Sequence, residues 1–164
     1  MYIPPNNHCF IDGNNLHLTY RNLKWKLDYK KLRQYLLKRH RVTVAHYFIG
    51  YIFRNSALYA NLKKYGYALQ QQSADRDISG NFTHNCDQFL INMAKWTIEK
   101  YDQAIIISGD HHFADLVREL DSKGKLKLVL APCRLSCAWQ LRKAAGSKIA
   151  FLDDLESRLK KEEE

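Results

Sequence analysis

Gln103-Ala104-Ile105-Ile106-Ile107-Ser108-Gly109-Asp110 decides how the rest of the chain is read. Four consecutive apolar residues with no polar alternation suit a strand covered on both faces, as in a parallel sheet. The run ends abruptly in a polar turn that carries an aspartate. The same device stands near the beginning, in Cys9-Phe10-Ile11-Asp12-Gly13-Asn14-Asn15, where Gly13 is read as the residue that lets the chain turn. A third aspartate, Asp87 of His84-Asn85-Cys86-Asp87, opens a helical pattern. Neighbouring strands lie about 4.8 Å apart, so carboxylates at their ends can reach one ion. Crowded carboxylates repel unless a dication neutralises them, and hard oxygen donors are what Mg²⁺ or Mn²⁺ selects. The expectation is a metal-dependent nuclease site. Each aspartate also has a local alternative: Asp110 as a helix cap, Asp87 as a partner of a helix dipole, Asp12 as a stabiliser of its own turn.

Working outward, further apolar runs predict strands at about 8–12, 42–52, 67–70 and 126–131, with a weaker one near 148–152. Helical patterns lie between them. Leu32, Tyr35 and Leu36 follow Asp28, an N-cap type; Leu58, Leu62 and Tyr65 follow Ser56 and stop at Gly66. Cys86, Phe89, Leu90, Met93, Ala94 and Thr97 repeat at helical spacing, as do Phe113, Leu116, Val117 and Leu120 before Gly124. Strands alternating with helices predict an α/β domain with a mainly parallel sheet of five to six strands and helices on both faces. In such a sheet, ligands bind at the carboxyl ends of the strands where the strand order reverses. One long polar connection, Gln70 to Thr83, leads into Asp87. It reads equally as a substrate-facing lid or a flexible crossover. The single domain spans 1–164, with a core at about 8–157; Leu152 to Glu164 reads as a short helix that frays into the charged tail 158–164.

The net charge of +9 is unevenly spread. Residues 1–82 hold 13 Lys/Arg against 4 Asp/Glu, so the whole excess lies in the first half. Lys24, Lys26, Lys30, Lys31, Arg33, Lys38, Arg39 and Arg41 alternate with Tyr20, Trp25, Tyr29 and Tyr35. A basic field beside stackable rings suits a polyanion that exposes bases; a solvated helix face is the plain alternative. Lys24, Lys26, Lys30, Lys31, Arg54, Ser108 and Ser136 are the candidate nucleic-acid contacts.

Other classes fare worse. Asp12-Gly13-Asn14 lacks the Asp-x-Asp of haloacid-dehalogenase-type phosphatases, and neither a dinucleotide-binding glycine pattern nor a P-loop occurs. The sequence has no long apolar run and no leader with a cleavage site, so neither a membrane span nor secretion is expected. Cys9, Cys86, Cys133 and Cys137 follow no zinc spacing and read as buried small hydrophobes in a reducing cytoplasm. Trp96 and Trp139 read as core, or as part of a homodimer surface with the C-terminal helix.

The chain also resembles a known family. Phe10-Ile11-Asp12-Gly13-Asn14-Asn15-Leu16, His84-Asn85-Cys86-Asp87, and Ala104 to Phe113 with Leu116-Val117 resemble the signature blocks of NYN domains, the LabA-like branch of the PIN-like nucleases. Phe48-Ile49-Gly50-Tyr51, Gly124-Lys125, Pro132 and Ser136 match in order, so the likeness covers about residues 8–157. It implies a three-layer α/β/α PIN-like (Rossmannoid) fold and Mg²⁺- or Mn²⁺-dependent ribonuclease chemistry on single-stranded or structured RNA. It also implies that Asp12, Asp87 and Asp110 are the metal ligands, with Asn15 orienting the site. Three departures stand out: His112 where the family carries a second acid after Ser-Gly-Asp, Met93 where another acid is frequent, and His84 where a basic residue is common. Fewer anionic ligands imply weaker metal binding and an RNA-binding domain of low turnover as the alternative. His112 and His111 become candidates for ligand or general acid, with His17 and His84 as weaker ones.

Overall fold

A computed structural model describes residues 1–50, 55–72, 75–76, 78–79, 82–83 and 86–163. Six strands form one sheet: β1 (Asn7–Asp12), β2 (Val42–Gly50), β3 (Tyr67–Gln72), β6 (Ala104–Ile107), β7 (Leu126–Ala131) and β8 (Ile149–Phe151), in the order β3-β2-β1-β6-β7-β8. Every pairing in it is parallel. The polar connection expected over Gln70 to Thr83 is not all loop. Its first residues complete β3, and β4 (Asp75–Arg76) pairs antiparallel with β5 (Phe82–Thr83) as a separate ribbon.

The strand order places the reversal at the centre. From β1 the chain steps outward to β2 and β3, then returns to lay β6 on the other side of β1. The carboxyl ends of β1 and β6 therefore flank the crevice where open α/β sheets bind ligands. Ile11 of β1 is in register with Ile107 of β6, which brings Asp12 beside Ser108.

Alternation along the strands supplies two cores. Cys9, Ile11, Tyr47, Ile105 and Ile107 face α1 (Gly13–Arg21), α2 (Tyr29–His40) and α3 (Ser56–Lys64), through Leu16, Leu32, Leu36 and Leu62. Phe10, Phe48, Ala104, Ile106 and Val129 face the opposite layer, α4 (Asp87–Trp96), α5 (Ala114–Ser122) and α6 (Trp139–Ala145). The result is the expected three-layer α/β/α arrangement. All four cysteines are free and buried. Among the described residues, no helix is long and apolar enough to cross a membrane.

Local chemistry sets the helix ends. Asp28 accepts a hydrogen bond from the Lys31 amide at 3.0 Å and caps α2. Gly124 has a φ of +67°, a left-handed value suited to glycine in the turn that follows α5. Helical periodicity does not mark α1 or α6. Each buries only a short stripe: Leu16 and Tyr20 beside Gly13 in α1, Leu141 and Ala145 in α6.

The C-terminal tail does not fray at once. After α7 (Glu156–Leu159), Lys160 forms an antiparallel bridge with Leu27, and the Lys161 amide donates to the Lys26 carbonyl at 2.8 Å. The two exposed tryptophans correct the expectation of core: Trp96 is 76% and Trp139 67% exposed.

Candidate active site

Three helix starts meet at the carboxyl edge of the central strands, and each carries one of the aspartates. Asp12 ends β1 and caps α1, accepting from the Asn15 amide at 3.1 Å. Asp110 follows β6 and caps the 3₁₀ turn His111–Phe113, accepting from the His112 amide at 2.9 Å. Asp87 is the first residue of α4. Capping and clustering are thus not alternatives. The first-turn N–H groups that favour an anion also fix where the Asp12 and Asp110 carboxylates sit.

Small hydrogen bonds lock the cluster together. Ser108 is fully buried; its hydroxyl donates to Asp12 Oδ2 at 3.0 Å and accepts from the Asp110 amide at 3.1 Å. One serine therefore spans two of the three acids. Its hydroxyl is engaged inside the protein rather than presented to a phosphate. Asn15 gives its backbone to Asp12, while its side-chain oxygen accepts from the Gly109 amide at 2.9 Å. That bond ties the first turn of α1 to the Ser-Gly-Asp turn, which is an orienting part.

Gly13 is needed for close approach rather than for an unusual backbone angle. A Cβ there would lie 2.5 Å from the Phe48 carbonyl oxygen and 2.5 Å from Tyr47 Cε1. Gly109 differs: a Cβ would meet Cys137 Cα at an ordinary 3.5 Å. Neither glycine has a positive φ, so the sharp turn expected of them is not their role.

Asp12 is 4% exposed, and its acid is pushed up to about 6. Burial is the main cause, opposed by the Asn15 hydrogen bond; the charge of Asp87 raises it further, the Ser108 hydroxyl lowers it, and the charge of Asp110 adds to the rise. Asp87 is also raised, by burial first and then by Asp110, with His112 and His111 pulling the other way. These repulsions show that the three carboxylates influence one another, although among the described residues the close ligand group, with all its atoms within 4.8 Å, is Asp110, His111 and His112, without Asp12 or Asp87. Among the described residues, none of the three is ion-paired with lysine or arginine.

Histidine nitrogens face the acids instead. His112 Nδ1 lies 2.8 Å from Asp110 Oδ1 and 3.5 Å from Asp87 Oδ2, and His111 Nδ1 lies 3.3 Å from Asp110 Oδ1. The ligand atoms of Asp110, His111 and His112 all fall within 4.8 Å of one another. The donor set fits a divalent cation: carboxylate oxygens with repelling charges, and adjacent imidazole nitrogens.

A model of the NYN domain family matches residues 8–153. The chain belongs to the NYN domain family. That family lies within the PIN-like nuclease superfamily. Among solved structures, the chain is similar to a protein of unknown function, VPA0982, from Vibrio parahaemolyticus RIMD 2210633, with a TM-score of 0.79 and 17% identity. The likeness covers 98% of this chain and 100% of that one, and at this identity it speaks for the fold alone. No curated protein matches.

The remaining sequence candidates fall in different places. Arg54 and His84 lie outside the described residues. His17 and Ser136 are exposed. Lys24 and Lys26, with Trp25 between them, line a groove shared with Glu156, Lys160, Lys161, Glu162 and Glu163. Lys30 is exposed on α2, and Lys31 donates to the Lys160 carbonyl at 3.1 Å and pairs with Glu162 at 3.2 Å. Tail glutamates therefore offset part of the basic field, a contact between distant segments that charge counting along the chain does not reveal.

Proposed function

We propose that this NYN domain is a metal-dependent endoribonuclease of the LabA-like branch, using Asp12, Asp87 and Asp110 to hold Mn²⁺ or Mg²⁺. The observation that carries the reading is the buried, doubly hydrogen-bonded Asp12 facing two further carboxylates at the sheet's reversal point, with no lysine or arginine paired to them among the described residues. A divalent ion there would activate water and neutralise charge building on the phosphodiester. Ser108 and Asn15 hold Asp12 and the Asp110 turn at fixed spacing, which keeps the donors preorganised. The His112 side chain is 59% exposed at the open edge of the cluster, where its imidazole can give a proton to the departing oxygen. Lys24, Lys26, Lys30 and Lys31 attract the RNA backbone. The protein acts in the cytoplasm.

One observation favours a second reading, an RNA-binding domain with little turnover. His112 Nδ1 lies against both Asp110 and Asp87 and competes with a cation for them. The two readings separate in one assay on RNA with Mn²⁺. Under the enzyme reading, the wild type cleaves, Asp110→Asn does not, and His112→Ala, which removes the proton donor, cleaves more slowly. RNA binding with no metal-dependent cleavage in the wild type selects the second reading.

A further inference from the structure

Trp139 is a large exposed apolar side chain on the segment whose backbone bonds to the acidic turn. The Ala138 amide donates to the Gly109 carbonyl at 2.9 Å. Asp110 and Trp139 each stand one residue from that bond, so the indole is carried on backbone tied directly to the acidic turn. The approach is close: a Cβ on Gly109 would lie 3.8 Å from the Ser136 carbonyl and 3.5 Å from Cys137 Cα.

The segment is braced, yet it leaves its apolar groups outside. The Arg142 guanidinium donates to the Arg134 carbonyl, and Arg134 pairs with Asp154 at 2.8 Å. Both guanidinium groups lie against the Phe151 ring, at 4.1 Å and 5.1 Å from its centroid. On this fixed base Trp139 remains 67% and Leu135 96% exposed. Lys143 lies four residues on from Trp139, on the same face of α6, and is exposed. Among the described residues it has no ion-pair partner. An open ring on a braced segment, with a cation one turn away, matches a nucleotide, with the base on the indole and the phosphate on the ammonium.

We infer that Trp139 is a positioning residue that stacks an unpaired base flanking the phosphate held at the aspartate cluster, with Lys143 contacting the adjoining phosphate. The inference rests on the RNA-directed reading above and adds the surface that sets the strand's path. Trp96 provides a control within the molecule. It is as exposed, but it closes α4, whose other end carries Asp87, about 13 Å away along the helix axis.

The test is fluorescence anisotropy of the full chain with a labelled unpaired oligoribonucleotide in EDTA, where binding is read without cleavage. Base–aromatic stacking predicts that Trp139→Ala weakens binding about 5- to 150-fold. Trp139→Phe keeps most of the affinity, and Trp96→Ala changes nothing. Lys143→Gln lowers affinity and flattens its salt dependence. In the Mn²⁺ assay, Trp139→Ala raises KM with kcat little altered. Trp139→Ala binding as tightly as the wild type overturns the stacking inference and leaves the RNA-directed reading standing. Wild-type protein that neither binds RNA in EDTA nor cleaves it in Mn²⁺ overturns both. A Trp139→Ala variant that changes sedimentation mass at unchanged RNA affinity identifies a dimer surface instead, and also overturns the inference.

Discussion

Asp12→Asn is expected to abolish metal-dependent RNA cleavage while making the metal-free protein more stable. The two effects have one cause. An ionised carboxylate at this buried position faces Asp87 and Asp110, which is why its acid is held near 6 rather than 3.8. The sign follows from linkage. With the folded value raised, ionisation costs the folded state on the order of 3 kcal/mol at neutral pH; the cost begins to shrink as pH falls below about 6 and is gone only below the unfolded value of 3.8. An asparagine has the same shape and no charge. Its oxygen can keep the Asn15 amide bond, and its NH₂ can donate to the Ser108 oxygen. Calorimetry in EDTA should therefore show Tm rising by a few degrees. Added Mn²⁺ should raise Tm of the wild type by mass action and leave the variant unmoved. Cleavage should fall by at least about 100-fold, the scale lost when a key electrostatic group is removed. A variant that loses stability in EDTA yet keeps its Mn²⁺ response would show that Asp12 is merely a helix cap.

Gly13→Ala should unfold the site mechanically. The added methyl group meets the Phe48 carbonyl oxygen, a backbone atom of the neighbouring strand, and the Tyr47 ring. That ring is fully buried, with edge contacts to Tyr29 and Tyr67 at 5.9 Å and 5.7 Å between centroids. Neither neighbour has room to yield. Overpacking of this kind costs about 1–3 kcal/mol. The upper end applies here, equivalent to roughly 5–10 °C in Tm for a domain of this size. Because Asp12 is the preceding residue, the same displacement should reduce cleavage. Gly109→Ala is the contrast: ordinary contact distance and no positive φ predict a small change in Tm. Equal tolerance at both positions would contradict the account of Gly13.

These two residues also show what the sequence makes legible. Uninterrupted apolar runs such as Ala104 to Ile107 reveal buried parallel strands, because a strand covered on both faces needs no polar alternation. An aspartate and a glycine directly after such a run mark a strand end that cannot lie in the core. Fold class and the strand-end places of Asp12 and Asp110 are therefore readable by inspection. The reason for Gly13 is not, since it depends on how closely α1 crosses β2. Nor is Ser108, which reads as a phosphate contact until its position between Asp12 and Asp110 is known. Helix α1 escapes periodicity because its start is Gly-Asn-Asn, poor helix formers stabilised here by the Asp12 cap. Trp139 escapes because α6 is only seven residues long, too short for a repeating pattern to show which face is buried. The docking of the tail on Leu27 depends on tertiary placement alone.

The most direct test of the central claim is diffraction from crystals soaked in Mn²⁺, with data collected at the manganese absorption edge. The account predicts an anomalous peak between the carboxylates of Asp12 and Asp110, with Asp87 reaching it directly or through water. No peak at that place, or one held by the His111 and His112 imidazoles away from Asp12, would contradict it.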